Sequence, residues 1–570
     1  MKSKAKTKVI VLIILGLLFA LVPSISINLS FLMDNRNKNL RCNDKIAFDN
    51  ENLKIATKSG KIHIDGNSGW VDFRNDGNCM GNGTYSEPYV IEDLLIDGED
   101  SGSCILIENS DVYFKIENCT LYNSESGRNN AGITLSNTSN AHIIDNYCLN
   151  NNDGIYLTAS NNNTISGNTL SNNYHDGIFL YSSDNNNILE NTANNNGFVG
   201  ISLSHSDNNN VSGNIVNNNG IHIFDGNDNR FLGNIISSDV MGSIYSGVNL
   251  SDSNNNSFSG NIMNNCGLVI EGVVTSHHID FTNLVNGKPL YYYSSEVNLE
   301  SANFTNAGQV ILADCTDSFI SNLIISNTPY AISLHCCYRI VISGSIVSNN
   351  IRGINIYYGS HNTITGNTVN NNYYGIYLCK SYNNNIIGNI ATNNDGTGIW
   401  IYFYSDNNTI SGNTANYNNY GLLLSSYSDY NNVSGNTVTN NFIGGISLGF
   451  SEKNIISGNI ANYNHRGISL YSSNLNIISG NIANYNHVGI CLDSSNLNII
   501  SGNILLRNDK CIREVYCQGN KFSDNGECTH GQYDGGIPIE LIILISVISG
   551  GLAIGVATTL IVRRKKNKII

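Results

Sequence analysis

Within its repeated part the 570-residue chain shows no apolar spacing long enough for a helix, which excludes helical solenoids and bundles. Methionine is scarce: there are five, none paired in a motif, so the Met-rich clusters that hold soft metal ions are missing. Positive charge is also short, with 30 Lys and Arg against 44 Asp and Glu. Nine of the cations lie at the two ends of the chain (Lys2, Lys4, Lys6, Lys8, Arg563, Arg564, Lys565, Lys566 and Lys568). Without them the net charge falls from −14 to about −23. Such an acidic body excludes nucleic acid as a partner and does not suit flat docking on anionic lipid.

What the chain does have is a repeat. Asn454 to Leu475 reads NIISGNIANYNHRGISLYSSNL, and Asn476 to Leu497 repeats it almost letter for letter. Each copy holds three short apolar alternations separated by Gly, Asn and Ser, which is the pattern of strands and turns. Three strands in 22 residues cannot form hairpins repeatedly. They can wind into one coil of a parallel β-solenoid, each strand pairing with its equivalent about 4.8 Å along. A leucine-rich repeat would show one strand and an apolar return, and left-handed helices need a six-residue submotif that is absent. The spacing therefore predicts an all-β, right-handed parallel β-helix with coils of 22–24 residues, about 18 of them, some 85 Å long.

Taken in order, residues 1–26 have the layout of a signal peptide or uncleaved anchor, with an apolar run from Val9 to Val22. Residues 27–90 read as opening strands and a cap, and 91–270 as coils. The register breaks over 271–313, where Asn286 to Tyr293 (NGKPLYYY) predicts a protruding loop or a hairpin. Coils resume over 314–504, with a C-terminal cap at 505–528 and a stalk at 529–540. Residues 541–562 are apolar and long enough to span a bilayer. The basic tail at 563–570 then predicts a single-pass cell-membrane protein with the solenoid outside. Gly551 and Gly555 carry the spacing of a helix-pairing motif.

One asparagine recurs at coil spacing: Asn146, Asn168, Asn191 and Asn214, then Asn367, Asn389, Asn413, Asn436, Asn459, Asn481 and Asn503. Stacked at one corner, these side chains form a structural ladder, each amide bonding the next.

Several clusters bear on chemistry. Asp153 and Asp176, 23 residues apart and next to His175, are the acid/base or calcium candidates. Asp184 with Asp207 and Asp406 with Asp429 have the same spacing but sit in SDNNN-type turns, where Asp is a normal turn former. His465 and His487 would stack about 5 Å apart and are metal candidates. His335–Cys336–Cys337 and His277–His278 are smaller groupings of the same kind.

Between the buried positions of each long strand lie outward ones, which hold Tyr156, Phe179, Tyr181, Tyr357, Tyr377, Trp400 and Tyr402. Aromatics aligned on one face make a stacking platform for sugars, and equally they are good cross-rung strand formers. Of the 14 cysteines, Cys511, Cys517 and Cys528 are the ones expected to include a bridge. Sequons such as those at Asn82, Asn210, Asn249, Asn303 and Asn432 are compatible with glycosylation.

The GNxxxNNxxGIxL coils, the segment around Tyr85 to Ile91 and the NGKPLYYY break resemble the parallel β-helix repeats of the NosD type. The likeness covers about Ile55 to Cys528. NosD belongs to the wider group of carbohydrate-binding proteins and sugar hydrolases with a pectin-lyase-like fold. The Asn- and Ile-rich composition with a basic-tailed anchor also resembles archaeal proteins. NosD serves copper delivery, so the resemblance implies Met, Cys and His clusters, which are scattered here. Enzymes of the wider group imply signatures such as NTD, DD, GHG, RIK or DPHD, all absent. The reading is a surface-anchored β-helix that binds glycans or acts as an adhesive spacer, with no cofactor expected beyond calcium or copper. The alternatives are a polysaccharide lyase, hydrolase or epimerase, and a copper-handling accessory protein.

Overall fold

The computed structural model describes residues 57–127, 129–239, 247–272 and 274–526. The expected signal segment, stalk, membrane span and basic tail lie outside the described residues, as does Cys528. Among the described residues no helix is long and apolar enough to cross a membrane.

The fold is an all-β right-handed parallel β-helix of about 19 coils. Strand pairing follows the repeat in the sequence. In the last coils Arg466–Tyr471 pairs in parallel with Val488–Asp493, and Ile455–Ser457 with Ile477–Ser479, each 22 residues on. Alternation puts Ile468, Leu470 and Ile478 inside, where they are buried. Each such side chain contributes about 1.5–3 kcal/mol of apolar burial.

One geometry closes most corners. A residue with positive φ is followed by an inward asparagine, as in Leu475–Asn476, Gly480–Asn481 and Tyr485–Asn486. Asn481 Nδ2 donates to the Ile456 carbonyl at 2.8 Å and to Asn503 Oδ1 at 3.0 Å. The Asn481 backbone N–H donates to the same Asn503 oxygen at 2.9 Å. Buried amides thus satisfy the backbone groups that a tight corner leaves without strand partners. There are three such ladders, not one. Asn362, Asn367 and Asn372 stand at three corners of a single coil, and each backbone N–H donates to the side-chain oxygen of the asparagine 22 residues on.

The glycine of the GI motif has a different cause. A Cβ on Gly467 would lie 2.6 Å from the Gly489 carbonyl and 2.9 Å from Ala483 Cβ, so only glycine lets successive coils approach there.

The break at 271–313 is a hairpin, and it does not protrude. Asn286 and Gly287 both have positive φ, as a two-residue reversal requires, and Leu284–Val285 pairs antiparallel with Lys288–Pro289. The returning strand Lys288–Ser294 then pairs in parallel with Gln309–Ala313 and becomes the first long strand of a second segment. The solenoid is therefore two stacks of coils: the strand Gln309–Ala313 lends Ile311 and Ala313 to the first core and Val310 and Leu312 to the second, and Gln309 Nε2 donates across to the Leu268 carbonyl at 2.7 Å.

At the N-terminal end the ladder already includes Ile62–Asp65, which joins Ile105–Glu108. Within the expected opening strands sits a helix, Gly66–Asn75. Its single buried side chain, Trp70, stacks on Tyr89 at 5.1 Å and covers the first core. At the other end Lys510–Val515 and Lys521–Ser523 continue the ladder, so residues 505–523 form one more coil rather than a separate cap. Cys511 is disulfide-bonded and Cys517 is a free thiol.

Candidate functional site

The long-strand face of the second segment carries the aromatic cluster expected from the sequence, but not as a flat platform. Tyr377 and Trp400 are register partners with ring centroids 5.2 Å apart, yet their planes meet at 79°. Tyr377 is only 5% exposed because the Arg352 guanidinium lies 4.1 Å over its ring. The other face of that guanidinium meets Tyr330 at 4.7 Å. Tyr377 and Tyr156, expected outside, are thus buried by neighbours on the same face, and burial pushes the Tyr377 phenol up. Phe179, Tyr357, Trp400 and Tyr402 are half-buried, and of the seven aromatics only Tyr181 is well exposed. Trp400 Nε1 donates to Ser425 Oγ at 2.9 Å and packs 4.8 Å from both Tyr374 and Tyr402.

Arg352 itself is notable. It donates to Asn355 Oδ1 at 3.0 Å, its Nε has no hydrogen-bond partner, and no carboxylate reaches ion-pair distance among the described residues.

Beside this face, along the corner that leads into the long strands, runs a groove of about 1040 Å³ from Asn371 to Asp509. One wall is the corner column of positive-φ residues, in which Tyr463 and Tyr485 stack at 4.8 Å and 12°. The other contains His465 and His487, stacked at 4.9 Å and 13°. His487 Nδ1 bonds Asp509 Oδ2 at 2.7 Å. Ladder asparagines form the floor, while Phe442 and Tyr417 project with 80% and 45% exposure. The sequence reading missed this groove. Its signal was the pair of positions flanking the third ladder asparagine, as in Tyr463–Asn464–His465 and Tyr485–Asn486–His487.

In the first segment Asp153, His175 and Asp176 do converge. His175 Nδ1 lies 3.4 Å from Asp153 Oδ1 and 3.5 Å from Asp176 Oδ2. Both aspartates are buried and the histidine is half exposed, its ring stacked on Phe198 at 5.3 Å. Hydrogen bonds to Asp153 and Asp176 hold the imidazole pKa up at about 10, and burial raises that of Asp176. An imidazole so held is an acid rather than a neutral-pH base. The other stacked aspartates serve turns: Asp184 and Asp406 accept the backbone N–H of Asp207 and Asp429, each at 2.8 Å.

Among the described residues no three soft-metal ligands converge, although the Cys315 and Cys337 thiols meet each other. Among the described residues Asp153, His175 and Asp176 are the one group of three or more potential ligands, and it is oxygen-rich. His335 is buried against Ser333 at 2.9 Å, while Cys336 is exposed and the Cys337 thiol faces the core carbonyl of Leu312. The residues present do not fit a copper centre built from Met, Cys and His.

Comparison with known proteins agrees with the fold. A family model described as "Periplasmic copper-binding protein (NosD)" matches residues 270–443 and 404–536. A second, described as a right-handed beta helix region, matches residues 82–236. No curated protein matches the chain. Among solved structures the periplasmic alginate epimerase AlgG is similar at 15% identity, covering 61% of this chain and 76% of its own, with a TM-score of 0.31. The A-module of a mannuronan C-5 epimerase from Azotobacter vinelandii is similar at 11% identity, covering 80% and 95%, with a TM-score of 0.28. An alginate lyase from Paenibacillus is similar at 11% identity, covering 55% and 95%, with a TM-score of 0.23. With its NosD match, its β-helix match and its parallel solenoid, the chain belongs to the NosD-type family of right-handed β-helix repeat proteins.

Proposed function

We propose that the chain is a surface-anchored glycan-binding protein and that an extended saccharide lies along the groove between Asn371 and Asp509. The observation that carries this reading is the groove's lining. At coil steps of about 4.8 Å it repeats an asparagine amide, and four successive coils add rings: Tyr417, Phe442, Tyr463 with His465, and Tyr485 with His487. Phe442, 80% exposed, offers an open face to the apolar side of a pyranose. The exposed Asn371, Asn393 and Asn419 amides and the Tyr463 and Tyr485 phenols meet hydroxyls as donor and acceptor. Half-buried Trp400 and Tyr402 lie on the long strand that follows the groove's Asn394 and Asp395. Contacts of this kind are individually weak, so affinity comes from repetition along the coils.

Binding without turnover is favoured because the groove's acids, Asp395 and Asp509, stand at its opposite ends. The test is a glycan-array screen of the full-length chain run beside a reducing-sugar assay on every retained glycan. Retention without release of reducing ends supports the reading. Release of reducing ends would replace it with an enzyme, and no retention with a spacer.

A further inference from the structure

We infer that Asp153, His175 and Asp176 form a binding site for a divalent transition-metal ion of the zinc class, with three protein donors and a fourth position open to solvent. The ligand atoms lie within 4.8 Å of one another, and the imidazole stands 3.4 and 3.5 Å from the two carboxylates. Donors about 2.1 Å from a tetrahedral ion are about 3.4 Å apart, so the imidazole edges already have that spacing. Two carboxylates and an imidazole that gives up its proton to solvent on metal binding supply the charge and the mixed oxygen and nitrogen donors that a divalent borderline ion takes.

The reason to look beyond a structural role is that the charge is unnecessary for it. Asp153 Oδ1 accepts the Asp176 backbone N–H at 2.9 Å, and Asp176 Oδ1 accepts that of Val199 at 3.0 Å. Elsewhere in the same segment an amide does this work as well as a carboxylate. Asn161, Asp184, Asp207 and Asn227 occupy one column, and each accepts the N–H of the next coil. Asparagine at 153 and 176 would keep those bonds without the desolvation cost of buried carboxylates. Asp153 and Asp176 are 3% and 2% exposed, and one half-exposed imidazole cannot neutralise both. Stacking on Phe198 also fixes the imidazole over the pair rather than leaving it free to swing away. The remaining approach is from the solvent side, where Tyr174 and Phe198 are exposed, so the fourth position takes water or a ligand oxygen.

The experiment uses the full-length chain, stripped with chelator and titrated with Zn2+ at neutral pH against a chromophoric zinc indicator. The wild type is expected to take up one equivalent that Asp153→Asn with Asp176→Asn loses. The stacked-histidine variant His465→Gln with His487→Gln keeps it, which separates this site from the groove. Metal-free thermal melts of the double variant should be no lower than those of the wild type, because the amides preserve the backbone bonds and remove the carboxylates' desolvation cost. If the double variant does not fold, His175→Ala, altered at a half-exposed side chain, is expected to lose the same equivalent. Uptake unchanged in these variants, no uptake by the wild type, or displacement of the zinc by an equal concentration of Ca2+ overturns the assignment.

Discussion

Asn481 and Asn503 stand on adjacent coils with the amide of the first donating to the oxygen of the second at 3.0 Å, and the backbone N–H donating to that same oxygen at 2.9 Å. Asn481→Ala removes the acceptor for Asn459 and the donor to Ile456 in one step. A loss of about 1–3 kcal/mol follows, read as a lower midpoint in denaturant melts. Phe442→Ala, a change at an exposed ring, should leave the midpoint in place. Equal midpoints for both variants would contradict the ladder's role.

Gly467→Ala should cost about 1–3 kcal/mol, because its Cβ meets backbone and a ladder amide of the next coil within 3 Å. Gly458→Asn should be mild by comparison. Its φ of 61° suits asparagine, and a Cβ there meets open space. Differential scanning calorimetry of both variants ranks the two positions, and the reverse order would show that φ, not coil spacing, governs these glycines.

His335 gives a signed pH dependence. Burial, with Arg352 nearby, lowers its pKa from 6.5 to about 4 in the folded chain. Between those values the unfolded state binds more protons, so stability falls as pH drops from about 6.5 to about 4 and is unaffected above. The full swing is about 3 kcal/mol. His335→Gln should flatten this part of the stability–pH curve. A curve of unchanged slope in the variant would assign the acid sensitivity to other groups.

How much of this was legible in the sequence follows from what repeats and what does not. The 22-residue period fixed the architecture because apolar alternation and corner residues recur in every coil. The Asn367 ladder was readable, while those through Asn362 and Asn372 were lost against an Asn-rich background, although all three are five residues apart. Tyr377 looked exposed because alternation assigns a face and says nothing of what lies over it. Its cover, Arg352, comes from the preceding coil. The helix Gly66–Asn75 was missed because it buries one residue, Trp70, and so leaves almost no periodic trace. The convergence of Asp153, His175 and Asp176 was visible as coil spacing plus adjacency, but their burial was not.

Anchoring is tested on intact cells. A tag placed after Ile570 should resist external protease while epitopes in the coils are shaved away. A tag reached from outside reverses the orientation.

The central claim is that the groove from Asn371 to Asp509 holds an extended glycan, and calorimetric titration with short and long oligomers of the best-retained array glycan tests it most directly. Affinity should climb with oligomer length until the groove's span, roughly 25–30 Å, is filled, and then level off. Phe442→Ala with Tyr417→Ala should remove most of that gain while the melting midpoint stays put. Affinity independent of length, or a length dependence that the double variant leaves intact, would contradict the account.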